Sequence, residues 1–376
     1  MDYNKEKFFH KEAVMQIVSD RRALHRIPEL ELELPQTMEY LRNSLRGLHC
    51  RVFSPTAQSL CAYFDFGAEK TLAYRADCDA LPICEQTGAE YASTHPGVMH
   101  ACGHDCHMAV LLELARRLDA KKENKNNILL IFQPGEETPG GALPICDSGV
   151  LAEYNVKAIF GLHVWPGLTK GKVFTRANEL MSSTTEVTVD IYGKSAHIAK
   201  AELGIDATEA AVAFYTRAVQ MERSYAPDVY RLLKFGKFQS GTARNALSAH
   251  CHIEGSLRAF QEDVFLEMRS KLIALTKEIE GEFGCTAAIQ FGDSYPAVLN
   301  DPDLCSLTRE IVHWEELDVP SMTGEDFGWY QRFVPGVFFF LGLGDVPALH
   351  NDKFDLDDTV LLNGADLFEQ LTEVEL

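Results

Sequence analysis

The chain has 376 residues, of which 46% are hydrophobic and 24% charged, and its formal net charge is −20. That length exceeds one ordinary hydrophobic core, so two domains are expected. The acidic surplus argues against nucleic acid and anionic membrane as partners, and no apolar run is long enough to span a bilayer.

The opening residues Met1–Lys7 carry no apolar stretch that could serve as a signal peptide. From about residue 10 to 176, short apolar runs alternate with helical periodicity, the pattern of βα units in a layered sheet. Leu72 to Ala76 reads as a strand ending in Asp77-Cys78-Asp79. Met108 to Leu118 reads as a helix with Leu111, Leu112, Ala115 and Leu118 on one face. Asn127 to Pro134 is a buried apolar run, closely followed by the adjacent carboxylates Glu136 and Glu137. Ala158 to Leu162 is another strand ending at His163, and Val337 to Leu341 a fourth, followed by glycine-rich chain and His350. Asp79, Glu136, Glu137, His163 and His350 thus fall at or beyond the trailing ends of strands, the crevice where open α/β sheets place their sites.

Between roughly residues 179 and 290 the rhythm changes. Thr185 to Ile191 alternates as a half-exposed strand, then a helix (Asp206 to Arg223), strands at 231–238 and 249–257, a helix (Gln261 to Phe283) and a strand at 287–291 follow. The order β-α-β-β-α-β predicts a ferredoxin-like α+β unit. Because His350 lies beyond this block yet belongs with the earlier residues, the block reads as an insertion. Domains of 1–178 plus 291–376 and of 179–290 are expected. The ten cysteines show no disulfide rhythm and are read as reduced thiols, which points to the cytoplasm.

Cys102 and His104 in His100-Ala101-Cys102-Gly103-His104-Asp105, the acid pair Glu136-Glu137 and His163 supply thiolate, imidazole and carboxylate in one ordered set. Soft thiolate with imidazole favours zinc or a neighbouring transition ion, and a carboxylate beside a ligand carboxylate suits metal-assisted hydrolysis. A rival reading makes Cys102 a nucleophile with His104 as its base, which leaves Glu136, Glu137, His163 and His350 unexplained. Another is a binding protein of the same fold without catalysis, against which the intact acid pair argues. His95, His107, His250, His252 and His313 are read as structural or surface residues.

Six segments together resemble the amidohydrolase branch of the aminoacylase-type metallopeptidases. They are Arg22–Leu30, Arg75–Pro82, His100–Asp105, Gln133–Glu137, Gly161–His163 and Gly193–His197. That branch includes hippurate hydrolases, auxin-amino acid conjugate hydrolases and N-acetyldiaminopimelate deacetylases. The resemblance implies an α/β, zinc-peptidase-like layered catalytic domain carrying the inserted unit as a lid and dimerisation domain. It implies two divalent ions (Zn, Mn, Co or Ni) held by Cys102, His104, Glu137, His163 and His350. Glu136 would be the general base, taking a proton from the attacking water and passing it to the leaving amine. Asp79 would orient a ligand imidazole, His197 would stabilise the oxyanion, and Asn245 and Arg258 would contact the substrate carboxylate. The implied substrate is a small N-acyl amino acid, and a homodimer or higher homo-oligomer is expected. Glu137–Ala142 and Met322–Gly328 look closest to N-acetyldiaminopimelate deacetylases, with a general N-acyl or N-benzoyl amino acid hydrolase as the alternative. Ile198–Glu202, after His197, departs from the small-aromatic-proline pattern of relatives.

Overall fold

Apolar runs without alternation behave as strands covered on both faces, the condition of a central parallel sheet. In the computed structural model, which describes the backbone from Tyr3 to Leu376 and side chains from Ala13 onward, four such runs lie side by side. The reading of the opening residues Met1–Lys7 lies outside those side chains. Asn127–Gln133, Thr71–Asp77, Val156–Pro166 and Gly336–Gly344 are mutually parallel neighbours, in that order. Every residue of Thr71–Asp77 and Asn127–Gln133 is buried. Leu60–Phe64 and Arg51–Phe53 continue the sheet on one side, and Val173–Thr175 and Glu315–Glu316 on the other, making eight strands.

The strand predicted to end at His163 runs on to Pro166, because Trp165 and Pro166 still pair with Gly342 and Gly344. His163 therefore sits inside a strand, not beyond its end. The predicted helix is His104–Ala120, one turn longer at its start, and it packs against the helices Tyr3–His25 and Leu361–Leu371 as well as the sheet. Burial on several sides explains why its apolar residues spread past a single stripe.

The chain divides into two compact units. The first holds residues up to Leu180 with Val298–Pro320 and Asp326–Leu376; the second holds Met181–Ala297 with Ser321–Glu325. In the second unit Ser183–Tyr192, Arg231–Ser240, His250–Ala259 and Thr286–Tyr295 form one antiparallel sheet. Its spatial order is Thr286–Tyr295, Ser183–Tyr192, His250–Ala259, Arg231–Ser240, the arrangement of a ferredoxin-like unit. The helices Ala207–Arg223 and Glu262–Phe283 cover one face, and Val187, Val189, Ile191, Cys251, Ile253 and Leu257 are buried beneath them. Residues 321–325 join this unit because Ser182 Oγ donates to Met322 O at 2.9 Å and Arg258 Nη1 to the same carbonyl at 2.7 Å. Among the described residues no helix is long and apolar enough to cross a membrane.

Candidate metal centre

Cys102 and His104 reach one site because the residue between them is a glycine. Gly103 adopts φ +84° and caps the helix that begins at His104; a Cβ there would meet Val164 Cγ2 at 2.5 Å. Past the strand Asn127–Gln133, Gly135 turns the chain at φ +69°, so that Glu136 and Glu137 leave the sheet together. The carboxylate of Asp79 then takes both of their amides, Oδ1 from Glu136 N at 2.9 Å and Oδ2 from Glu137 N at 3.0 Å. Asp79 Oδ1 also stands 3.5 Å from His104 Nδ1. Asp79 is expected to orient an imidazole; the hydrogen bonds described for its carboxylate go to the acid pair's backbone.

His163 Nδ1 donates to the carbonyl of Val164 at 2.7 Å, which leaves Nε2 unprotonated and 3.4 Å from Cys102 Sγ. His350 is held at φ +63°, an uncommon value for a non-glycine residue, with its amide donating to Ala101 O at 2.8 Å. Its Nε2 lies 3.1 Å from Glu137 Oε1, without hydrogen-bond geometry.

Ligand atoms therefore gather in two overlapping groups, Cys102–His104–His163 and Cys102–Glu137–His350, with Cys102 common to both. His104 is fully buried, yet neither of its ring nitrogens makes a hydrogen bond, and Glu137 Oε1 meets His350 without hydrogen-bond geometry. Unpaired buried polar atoms are costly, and divalent cations at these two positions would satisfy them. The electrostatics point the same way. Burial opposes a charge on His104, but Asp77, Asp79 and Glu137 raise it to about 10. Burial, then Glu137 and Glu136, push the Cys102 thiol well up. Burial and the neighbouring His107 hold His163 well below its ordinary value, as a neutral donor. The acids Asp77, Asp79 and Glu137 favour positive charge at this spot, here carried by a proton on His104, which is the field of a cation site, and the residues fit two divalent ions.

This geometry also bears on the thiol-nucleophile reading. The base assigned to Cys102 there was His104, whose Nδ1 and Nε2 face Asp79 and Asp77 at 3.5 and 3.7 Å. The imidazole beside Sγ is that of His163, and a thiol raised by burial is a poor nucleophile.

Several supporting residues escaped the sequence reading. His107, read as structural or surface, donates from Nδ1 to Asp77 Oδ1 at 2.5 Å, and its Nε2 accepts from Val164 N at 3.0 Å. It thereby ties the residue that follows His163 to Asp77. Arg75 Nη1 pairs with Asp77 Oδ2 and Nη2 with Asp326 Oδ1, both at 2.7 Å. Asp326 Oδ2 accepts from the amides of Gly141 and Ala142 at 2.9 Å each, closing the loop that bears Glu136. Arg75 and Asp77 lie in the Arg75–Pro82 segment that carried the family resemblance, and Asp326 in the Met322–Gly328 segment likened to the deacetylases, which was the signal available.

In the second unit, Ile198 N donates to Asn245 O at 3.1 Å and Leu247 N to Ala196 O at 2.8 Å, so two loops bring His197 and Asn245 together, both exposed. The divergent segment forms the 3₁₀ turn Ile198–Leu203, which His197 caps by accepting from Ala199 N through Nδ1 at 3.1 Å. Arg258 lies on a strand at the Ser321–Glu325 segment, half-buried, its fork partly committed to the Met322 carbonyl.

The chain is similar to known proteins over nearly its whole length. Residues 73–374 match the description "Peptidase family M20/M25/M40". The chain is 34% identical to an N-acetyldiaminopimelate deacetylase of Geobacillus thermodenitrificans over 91% of its own length and 93% of that protein. It is 32% identical to an uncharacterised hydrolase of Staphylococcus saprophyticus, over 94% and 96% respectively. A crystal structure of a Bacillus subtilis dinuclear metal-binding peptidase of the M20 family superposes with a TM-score of 0.82 at 28% identity, covering 97% of this chain and 98% of that one.

Proposed function

The chain belongs to peptidase family M20/M25/M40 and is a metal-dependent amidohydrolase; from that premise we propose that it deacylates N-acyl amino acids, N-acetyl-diaminopimelate foremost. The observation that carries the reading is the acid pair, with both amides clamped by Asp79, Glu137 grouped with Cys102 and His350, and Glu136 beside His104 and Glu137. Cys102, His104, Glu137, His163 and His350 hold two divalent ions, with zinc, manganese, cobalt or nickel suited to the thiolate–imidazole–carboxylate set. When bound, such ions polarise an amide carbonyl and lower the pKa of an attacking water.

Glu136 is the general base: one carboxylate oxygen takes the proton of the attacking water and returns it to the leaving amine nitrogen. Glu137 cannot share that work, since its charge is committed to ligation. His197 is assigned the developing oxyanion, and Asn245 and Arg258 the substrate's α-carboxylate, with the second unit acting as lid. The acetyl-diaminopimelate preference rests on the Glu137–Ala142 and Met322–Gly328 segments and on the relative named above.

A homodimer through the second unit is favoured by Phe238 on the edge strand Arg231–Ser240 and Tyr215 beside it, both exposed. All ten cysteines are free, which suits a cytoplasmic enzyme.

The test is a comparison of amine release from N-acetyl-diaminopimelate and from hippurate by metal-loaded protein. The first should lead in kcat/KM by about tenfold or more, on the order of 1.4 kcal/mol of transition-state binding. A reversed preference would make the enzyme a general deacylase, and inactivity on both would overturn the reading.

A further inference from the structure

Strand alternation in the second unit leaves one sheet face without helices, and a histidine–carboxylate cluster stands there. Val187, Val189, Ile191, Cys251 and Ile253 point into the core, so Asp190 and the run His250, His252, Glu254 point the other way. His252 pairs directly with Asp190 across the ladder, with His250 two residues along on the same face. Asp190 Oδ1 lies 2.7 Å from His250 Nε2 and 2.8 Å from His252 Nδ1. The other nitrogen of His252 lies 2.6 Å from Glu254 Oε1, which Lys237 Nζ reaches at 2.8 Å. One donor atom from each of Asp190, His250 and His252 falls within 4.8 Å of the others.

We propose that Asp190, His250 and His252 form a further metal site, for a zinc-class transition ion, separate from the Cys102 centre and sharing no residue with it. Two imidazoles and a carboxylate are a borderline donor set, poor for magnesium or calcium, which prefer all-oxygen shells. Glu254 takes the Nε2–H of His252, the carboxylate–histidine arrangement that orients ligand imidazoles and sets their tautomer. That tautomer turns a lone pair of Nδ1 toward Asp190 Oδ1, where only a proton or a cation makes the contact favourable. Donors at ~2.0–2.1 Å from a tetrahedral ion stand roughly 3.3 Å apart, so each nitrogen need move only about half an ångström from Oδ1. The ligands sit on rigid paired strands, and the ion would cross-link Ser183–Tyr192 to His250–Ala259 at a position where His250 is 46% exposed and open to entry. The structural or surface role read for His250 and His252 from sequence then becomes ligation.

Zinc uptake by the full-length, metal-loaded protein tests this through the difference between wild type and variants, whatever number of ions the Cys102 centre holds. Wild type should bind one zinc more per chain than His250→Ala/His252→Ala, with amidase activity the same in both. Glu254→Gln, which keeps every ligand, should bind the extra zinc about 10–100-fold more weakly. Excess magnesium should not displace the extra ion. Equal uptake by wild type and the double variant overturns the proposal, as does an affinity unmoved in Glu254→Gln or displacement by magnesium. Should the double variant fail to fold, Asp190→Asn takes its place with the same expectation.

Discussion

Asp79 accepts the backbone amide of Glu136 at 2.9 Å, and its second oxygen accepts the next amide, so one buried carboxylate sets the direction of the acid pair. Asparagine has the same shape but turns one acceptor into a donor facing an amide. Asp79→Asn should therefore weaken metal retention by about 10–100-fold, the usual cost of losing a supporting carboxylate, and lower turnover with it. Metal titration of the folded variant checks this, and an affinity within about threefold of wild type would remove Asp79 from that role.

Glu136→Gln keeps side-chain volume and leaves every ligand in place, but it removes the proton acceptor. Turnover should fall by ~10²–10⁴-fold while metal content stays at the wild-type level. Elemental analysis and single-turnover kinetics on the same sample separate the two. Near-normal turnover would transfer the base role to another group.

Much of this site was legible because its residues follow apolar strands whose burial pattern is strong. Asp79, Glu136 and Glu137 fall past the ends of Thr71–Asp77 and Asn127–Gln133, as their hydrophobic runs imply. His350 was not legible locally: its place depends on a positive φ and on a hydrogen bond to Ala101, some 250 residues earlier in the chain. The same holds for Arg75 and Asp326, which meet only when the chain returns. Sequence pattern reports which face a residue takes within its own element, whereas pairing between distant elements is a property of the assembled sheet. His163 illustrates a smaller limit, since the strand end was set by pairing with Gly342 and Gly344 and not by the apolar run.

Cys102 is shared by both ligand groups, so its loss should empty the centre and not merely slow it. Cys102→Ser should lose metal and activity together, and wild-type affinity should weaken as pH falls, because ligation needs the thiolate. In wild type, metal removal should speed alkylation at Cys102. Equal labelling of loaded and stripped protein would contradict ligation.

A second pH effect arises in residues that are not themselves ligands. His25 is buried between Asp105 at 2.7 Å and Glu85 at 3.3 Å. Burial alone would lower its pKa, but Asp105 and Glu85 raise it from 6.5 to about 9. A raised folded-state pKa contributes stability that is complete below pH 6.5 and is lost as pH climbs through 9, up to about 3 kcal/mol by linkage. Asp105 is shifted the other way: burial opposes its charge, but Arg21 and His25 lower its pKa, so its share is lost on the acid side. The urea midpoint should decline between pH 6.5 and 9.5 in wild type and much less in His25→Gln. Parallel declines in the two proteins would show that His25 does not titrate in that window.

The last expectation concerns the second unit, where His197 and Arg258 are assigned different work. Loss of one oxyanion donor costs on the order of 10²–10³ in rate, so His197→Ala should lower turnover with metal occupancy untouched. Arg258 has a second role in the structure, because its Nη1 holds the Met322 carbonyl at 2.7 Å. Truncation to alanine therefore removes a tether as well as a charge. The two effects separate by substrate: a guanidinium pairs with an α-carboxylate through a planar fork, while the tether serves every substrate alike. Arg258→Ala should raise KM strongly for N-acyl amino acids and much less for their α-amides. If both suffer equally, the arginine acts only through the Ser321–Glu325 segment, and the carboxylate contact falls to Asn245.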